Sequence, residues 1–170
     1  MAPLVRLVSS DQQEFTVEPK VAKMSKTVAA LMEVMNMDEE ANEEIFENNS
    51  IPLPNLTAEV LKRVIEWCEY HKNDSAKKEE NDSAKNRRWT GEVHYGYPRM
   101  DEKNQKPIFD LLVAANYLDI KGLMDNVAKT IANIIKGKAP QEIRDYFHIV
   151  NDFTKEEEET IRKENSWCDE

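Results

Sequence analysis

The sequence contains few of the residues from which active sites are usually built. Its 170 residues include only two cysteines, three histidines and four glycines. Cys68 and Cys168 are far apart, and neither has a second Cys or a His at metal-ligand spacing. There is no Gly-x-Ser-x-Gly elbow and no glycine-rich dinucleotide loop. We therefore expect no catalytic site, no metal and no other cofactor. Only turnover that depends on a histidine would indicate an enzyme, the candidates being His71, His94 and His148.

The charge balance argues against nucleic acid and membranes as partners. The chain carries 33 acidic and 23 basic residues, a net charge of −10. Phosphate groups bind clustered Lys and Arg, so an acidic protein is repelled by nucleic acid and by anionic lipid. No apolar run approaches the length of a membrane span, and the first residues lack the pattern of a signal peptide. We expect a cytoplasmic and nuclear protein that binds other proteins.

The first half of the chain begins with strand patterns. Residues 4–8 and 14–17 are predicted strands joined by a turn at 9–13, because apolar and polar side chains alternate in the second of them. Residues 51–54 (Ile-Pro-Leu-Pro) predict a short extended segment, since proline moves its predecessor out of the helical region. Between these segments, residues 38–50 are acidic and rich in Asn, which predicts a loop.

Two helices are predicted in the same half. Ser25 is placed to cap the first, whose apolar residues recur at helical spacing. Thr57 is placed to cap the second, which has one apolar and one charged face. The apolar positions are Val28, Leu31, Met32 and Met35 in the first helix, and Val60, Leu61, Val64, Ile65 and Cys68 in the second.

Residues 73–106 interrupt these patterns. The sequence Asn-Asp-Ser-Ala-Lys at 73–77 is repeated at 81–85, within a polar tract that mixes both charges. Such a tract buries too little apolar surface to offset the entropy lost on ordering, so we predict a disordered or irregular insertion. The basic and aromatic segment 87–89 could stack on single-stranded nucleic acid, but the surrounding charge is not basic. A loop whose aromatic side chains lie against the domain is the favoured interpretation.

Two long helices are predicted after the insertion. The first, over 107–118, has Asp110 as the one charged residue in its body, so it is apolar on all sides and needs cover on all sides. The second extends over 120–135, with Asp119 placed to cap it and Gly137 placed to end it. Their apolar stripes exceed what a small core can hide.

The C-terminal segment has strong helix signals and little to bury. Pro140 suits the first turn of a short helix. Thr154 and Glu157 form a capping box before another helix, in which Ile161 is almost the only apolar residue. Trp167 follows in an acidic tail without apolar neighbours. Uncovered apolar surface of this kind indicates a protein interface. The alternative is that the indole folds back onto the short helix at 140–147.

A set of short motifs runs through the chain in order. They are Ile-Pro-Leu-Pro-Asn at 51–55, Trp-Cys at 67–68, His-Lys at 71–72, Ala-Ala-Asn-Tyr-Leu-Asp-Ile-Lys-Gly-Leu at 114–123, Ile-Lys-Gly-Lys at 135–138, Glu-Ile-Arg at 142–144, Asn-Asp-Phe-Thr at 151–154, Arg-Lys-Glu-Asn at 162–165 and Trp-Cys at 167–168. Together they resemble the Skp (S-phase-kinase-associated) family, the F-box adaptors of SCF ubiquitin ligases. The resemblance covers nearly the whole chain outside 73–106.

This resemblance implies both a fold and a function. The fold is α/β, of the helix-rich α+β kind: a BTB/POZ fold with a small N-terminal sheet and a C-terminal helical extension. Residues 1–72 and 107–138 would form the BTB/POZ domain, and 139–170 the F-box-binding extension. The function is that of a non-catalytic adaptor, which bridges F-box substrate receptors to a cullin scaffold in ubiquitin-dependent protein degradation. Gln12 stands where the family often has Gly, so a positive φ there would be strained.

Two binding surfaces follow from the same resemblance. Asn116 and Tyr117 match positions that contact the N-terminal domain of a cullin. The matching F-box contacts are Leu112, Met124, Ala128, Ile131, Ile135 and Trp167. The unusual 73–106 segment leaves a second function open, a structural subunit of a cullin-free F-box complex. Such a subunit would bind an F-box without any affinity for a cullin.

The free chain should self-associate, because apolar stripes meant for a partner would otherwise face water and a homodimer is the commonest way to cover them. Addition of an F-box peptide should convert that homodimer into a heterodimer, as measured by sedimentation velocity. A strict monomer at high protein concentration would contradict this prediction.

Overall fold

The computed structural model describes residues 3–37, 45–46, 49–73 and 106–165. The chain divides into two compact units, one ending at Ile134 and the other beginning at Ile135. The predicted insertion 73–106 lies outside the described residues except for its first and last positions, and Trp167 lies outside them as well.

A small sheet opens the first unit. Strand β1 (Val5–Ser9) pairs antiparallel with β2 (Glu14–Val17) and parallel with β3 (Ser50–Leu53), so β1 lies in the middle. Alternate residues of β1 point into the core, as the period of a half-buried strand requires. In the turn after β1, Gln12 has a φ of 61°, in the left-handed region. The strain predicted for a residue other than Gly at this position is therefore present.

Helix α1 (Pro19–Ala22) follows the sheet hairpin, and α2 (Lys26–Val34) follows α1. The cap predicted at Ser25 is confirmed, since its hydroxyl oxygen accepts a hydrogen bond from the Val28 amide at 3.1 Å. The four-residue α1 was not predicted, because one turn is too short to show a helical period.

The loop predicted over 38–50 is wrong at two places that the structure describes. Ile45 and Phe46 are helical, and the Phe46 side chain is buried in the core. Ser50 already belongs to β3. The acidic and Asn-rich neighbours hid this apolar pair, because averaging over a window gives a polar value even when two side chains reach the core.

Helix α3 (Ala58–His71) has Thr57 at its N-cap position, as predicted, but the Thr57 side chain makes no capping hydrogen bond. Instead a carboxylate oxygen of Asp11 accepts from the Ala58 amide at 2.9 Å and from the Ser9 hydroxyl at 2.6 Å. The Ser9 hydroxyl, followed by the Ala58 amide, lowers the pKa of Asp11. The turn with the strained Gln12 thus supplies the cap of a helix that begins 47 residues after Asp11.

The predicted apolar face of α3 is only partly the buried one. Leu61, Val64 and Cys68 are buried as expected, whereas Val60 and Ile65 are half-buried. Trp67 and His71 are buried as well, and their rings lie 4.3 Å apart between centroids. Burial raises the pKa of the Cys68 thiol to about 12, so this cysteine is packed as an apolar side chain and is not a reactive thiolate.

Helix α4 (Lys106–Tyr117) and helix α5 (Lys121–Ile135) complete the first unit's framework. The prediction that Asp119 caps α5 is wrong. Asp119 has a φ of 49° and ends α4, because its amide donates to Asn116 and the next amide donates to Ala115 at 2.9 Å. These two bonds form a Schellman motif, in which a left-handed residue closes the last turn.

The N-terminus of α2 is joined to the C-terminus of α4. The Ser25 hydroxyl donates to the Leu118 carbonyl at 2.6 Å, and the Thr27 hydroxyl donates to the Tyr117 carbonyl at 2.8 Å. Lys26 forms an ion pair with Asp119 at 3.1 Å. The final carbonyls of a helix have no partner within it, so these donors satisfy them. We call these contacts the α2–α4 junction.

The second unit contains α6 (Pro140–Phe147) and α7 (Lys155–Glu164). The predicted stop at Gly137 is confirmed by its φ of 77°, and the predicted capping box of Thr154 and Glu157 is present. The helix-rich α+β class with a small N-terminal sheet is thus confirmed. None of the described helices is long and apolar enough to cross a membrane.

Replacing Ser25 with Ala should lower the free energy of unfolding by about 2 kcal/mol, because a helix cap and a buried hydrogen bond are lost together. Urea denaturation followed by circular dichroism measures the change. Ser10→Ala is the control, since Ser10 is exposed and only its amide contributes a hydrogen bond, to Leu56. That variant should change stability by less than about 0.5 kcal/mol. Equal losses in the two variants would show that the α2–α4 junction contributes nothing specific.

Candidate protein interface

Among the residues that the structure describes, no group of three or more His, Cys, Asp or Glu side chains could hold a metal ion. The candidate site is apolar surface exposed on the helices. The first such surface lies on α4. Its inner side is formed by Ile108, Leu111, Ala114 and Ala115, all of which are buried.

The outer face of α4 carries exposed side chains. Phe109 is 39% exposed, Val113 is 67% exposed, and Asn116 is exposed one turn further along. Positions that differ by three or four lie on one side of a helix, so these three side chains form one strip. The inner side of α4 is thus buried in the core, whereas these outer side chains keep surface in contact with water. Exposed apolar residues at this spacing favour contact with another protein.

The two residues predicted to contact a cullin occupy different environments. Asn116 belongs to the outer face of α4, whereas the Tyr117 ring is half-buried and packs against the core. The Tyr117 carbonyl is held by the Thr27 hydroxyl in the α2–α4 junction. Leu112, predicted to contact an F-box, is half-buried and lies one turn before Asn116. The two predicted sets of contacts therefore meet on one helix.

The predicted F-box residues of α5 form a partly exposed stripe. Met124 and Ile131 are half-buried and pack against the core, while Ala128 is exposed between them. Ile135, which ends the helix and begins the second unit, is 37% exposed. The core side of the same helix is formed by Leu123 and Val127, with Asn126 buried beside them.

Helix α5 lies close to α3 because Gly122 has no side chain. A Cβ added at Gly122 would lie 3.0 Å from Cη2 of Trp67, closer than ordinary contacts between carbon atoms. The buried indole therefore fixes the start of α5, and with it the stripe that begins at Met124.

The second unit presents apolar side chains without a core. No described residue between 135 and 165 is buried. Besides Ile135, four large apolar side chains of its described part are exposed: Ile149 at 55%, Val150 at 83%, Phe153 at 48% and Ile161 at 41%. None of these four was predicted as a site residue, and the first three lie in the connection between α6 and α7. Their signal in the sequence is an apolar pair and an aromatic residue within an otherwise polar connection between two helices.

Polar contacts order the start of α7. The Thr154 hydroxyl accepts from the Glu157 amide at 3.3 Å, while the Glu157 carboxylate accepts from the Thr154 amide at 2.8 Å. The Thr154 amide, together with its hydroxyl, lowers the pKa of Glu157. Acidic residues at 156–158 lie in the first turn, where the positive end of the helix dipole favours them.

These features define a class of protein: a helix-rich α+β domain followed by a helical unit whose described residues are all at least partly exposed, with exposed apolar surface on each. Comparison with known proteins identifies the family. Residues 3–73 match the family model described as "Skp1 family, tetramerisation domain", and 121–168 match "Skp1 family, dimerisation domain".

Curated relatives match over almost the entire chain. One is "E3 ubiquitin ligase complex SCF subunit sconC" of Talaromyces stipitatus, 46% identical over 169 residues, which is 99% of each chain. A second of that name, from Talaromyces marneffei, is 45% identical over the same length. "Skp1-related protein" of Caenorhabditis elegans is 44% identical over 165 residues, 97% of this chain and 91% of the relative. The chain therefore belongs to the Skp1 family, and its N-terminal part is a BTB/POZ-like domain.

The capping box predicts a pH dependence of α7. A carboxylate whose pKa is lowered on folding stabilises the folded form above its unfolded pKa, which for Glu157 is the ordinary 4.5, and this contribution is lost as pH falls through the folded value. Thr154→Ala removes the hydroxyl and should move the pKa of Glu157 upward toward 4.5. An NMR titration of the Glu157 carboxyl carbon measures it, with Thr154→Ser as the control that keeps the hydroxyl. Identical titration of Thr154→Ala and the unaltered chain would contradict this account.

Proposed function

We propose that this chain is the adaptor subunit of an SCF-type cullin–RING E3 ubiquitin ligase, and that it bridges F-box substrate receptors to the cullin scaffold. The observation that carries the proposal is the similarity to an SCF subunit over 99% of both chains, which includes both exposed apolar surfaces. The family membership supports a role in binding other proteins. On this proposal the chain carries no catalytic residue.

The outer face of α4 is the proposed cullin-binding surface. Its exposed valine and phenylalanine supply apolar contact, and Asn116 beside them supplies hydrogen-bonding groups. The surface is rigid because its inner side is fully buried and because the α2–α4 junction fixes its C-terminal end. A preorganised surface loses little entropy on binding, which suits a permanent attachment to a scaffold.

The F-box is proposed to cover the exposed apolar residues of the second unit and the stripe on α5, together with Trp167. The described part of the second unit buries no side chain of its own, so a partner has apolar surface to remove from water. Adaptor function then follows from position alone. Holding receptor and scaffold in one complex raises the effective concentration of substrate near the ubiquitin-charged enzyme. We further propose that this takes place in the cytoplasm and the nucleus.

Two matched substitutions should distinguish the surface that binds the cullin from the surface that binds the F-box. Val113→Asp places a carboxylate on the outer face of α4 and should weaken binding to a cullin N-terminal domain by about tenfold to a hundredfold, while F-box binding stays within about twofold. Val150→Asp should have the opposite pattern. Isothermal titration calorimetry with each purified partner measures both affinities, and each variant is the control for the other.

The residues matched by resemblance extend the same test. Asn116→Ala should reduce cullin affinity alone, and Trp167→Ala should reduce F-box affinity alone. F-box binding without any cullin affinity in the unaltered chain would favour the structural subunit of a cullin-free F-box complex. If Val113→Asp and Val150→Asp each lost affinity for both partners equally, the assignment of two surfaces would be contradicted.

A further inference from the structure

We propose that Arg144 is a positioning residue: its guanidinium holds α6, α7 and the intervening Phe153 together, so that the second unit is arranged before an F-box arrives. This inference rests on the proposed function, because the benefit of the arrangement is faster capture of the F-box. It concerns hydrogen bonds and a ring contact within the second unit, which are separate from the contacts that an F-box would make.

The side chain of Arg144 lies at the centre of the second unit. It is only 23% exposed, in a unit where no described residue is buried. Its Nη1 lies 3.3 Å from Oε1 of Glu158 in α7 and 3.3 Å from Oε1 of Gln141 in α6. Its Cζ lies 5.9 Å from the centroid of the Phe153 ring, within range of a cation–π contact. One side chain therefore contacts both helices and the connection between them.

A second set of hydrogen bonds closes the same network. The Asn151 amide group donates to Oε1 of Glu158 at 2.7 Å, and its carbonyl oxygen accepts from the Phe153 amide at 3.3 Å. The Arg144 carbonyl accepts from the Ile149 amide at 2.8 Å, which reverses the chain after α6. We call Arg144, Asn151, Phe153 and Glu158 the Arg144 clasp. It orders the exposed apolar residues of the connection without burying them.

The second unit depends on such contacts because none of its described residues is buried. Helices as short as α6 and α7 are marginal in water, and apolar packing usually supplies the rest of their stability. Here polar contacts at partly exposed positions take that role, and such contacts are individually weak and are screened by salt. The arranged form is consequently a fraction of the free population. The apparent affinity for a partner falls in proportion to that fraction.

The rates of binding distinguish a positioning role of Arg144 from direct contact between Arg144 and the F-box. If Arg144 only arranges the unit, its loss lowers the association rate, because fewer free molecules are competent, and leaves the dissociation rate nearly unchanged. If Arg144 touches the F-box, its loss mainly raises the dissociation rate. The state of the free chain gives a further readout, since a contact with the partner cannot affect it.

The experiment compares Arg144→Met with Arg162→Met. Methionine keeps much of the apolar stem and removes the charge, and Arg162 is an exposed arginine on α7 outside the clasp. Hydrogen–deuterium exchange of the free full-length chain follows residues 140–164, and stopped-flow fluorescence follows association and dissociation of an F-box peptide. Arg144→Met should speed exchange of α7 amides and slow association, each by about threefold to tenfold, with dissociation within about twofold. Arg162→Met should change none of these.

Two further arms test the network itself. Glu158→Gln should reproduce the effect of Arg144→Met, and the double variant should add little, because both members belong to one unit. High salt should bring the unaltered chain toward the exchange rates of Arg144→Met. Unchanged exchange in Arg144→Met, or faster dissociation with unchanged association, would overturn the proposal. An unaltered chain that binds no F-box peptide would refute the proposed function, while its exchange rates would still test the clasp.

Discussion

A single buried hydroxyl group organises the first unit. Ser25 caps α2 through the Val28 amide and also donates to the Leu118 carbonyl, which lies 93 positions away in sequence. This hydrogen bond joins the N-terminus of α2 to the C-terminus of α4, although the two are far apart in sequence. Thr27 and the Lys26–Asp119 ion pair reinforce the same α2–α4 junction. The C-terminal end of α4, which belongs to the proposed cullin-binding surface, is therefore held by α2.

The two units achieve order by opposite means. The first unit buries side chains from the sheet and from α2 to α5 in one apolar cluster. The described part of the second unit buries none, and depends on caps, a chain reversal and the Arg144 clasp. Apolar burial gives large and salt-insensitive stability, whereas exposed polar contacts give little.

Scarcity of glycine shapes the chain reversals. The sequence has four glycines, and Gly137 is the described glycine with a positive φ. The remaining left-handed positions are taken by Gln12, Asn36, Asp119 and His148. Asn, Asp and His tolerate this region better than most residues, so three of the four are of the enriched types. Asp119 illustrates how this misleads a reading of the sequence: an Asp before a helix is a common N-cap, yet here it closes the preceding helix.

The amino-acid sequence by itself determined the strands, the bounds of the main helices, the Ser25 and Thr154 caps, the Gly137 stop and the family, because each depends on residues close together in the chain or on motif order. It could not assign the Asp11 cap of α3, the burial of Phe46 and His71, or the exposure of Val113 on α4, since these depend on segments that meet only on folding. The exposed Ile149, Val150 and Phe153 were missed for the same reason. Periodicity shows which side chains are apolar, and only the packing of neighbouring elements decides which of them remain in water. Tertiary structure alone brought Arg144 to Glu158, because an ion pair requires two helices to reverse direction at the distance the side chains can span.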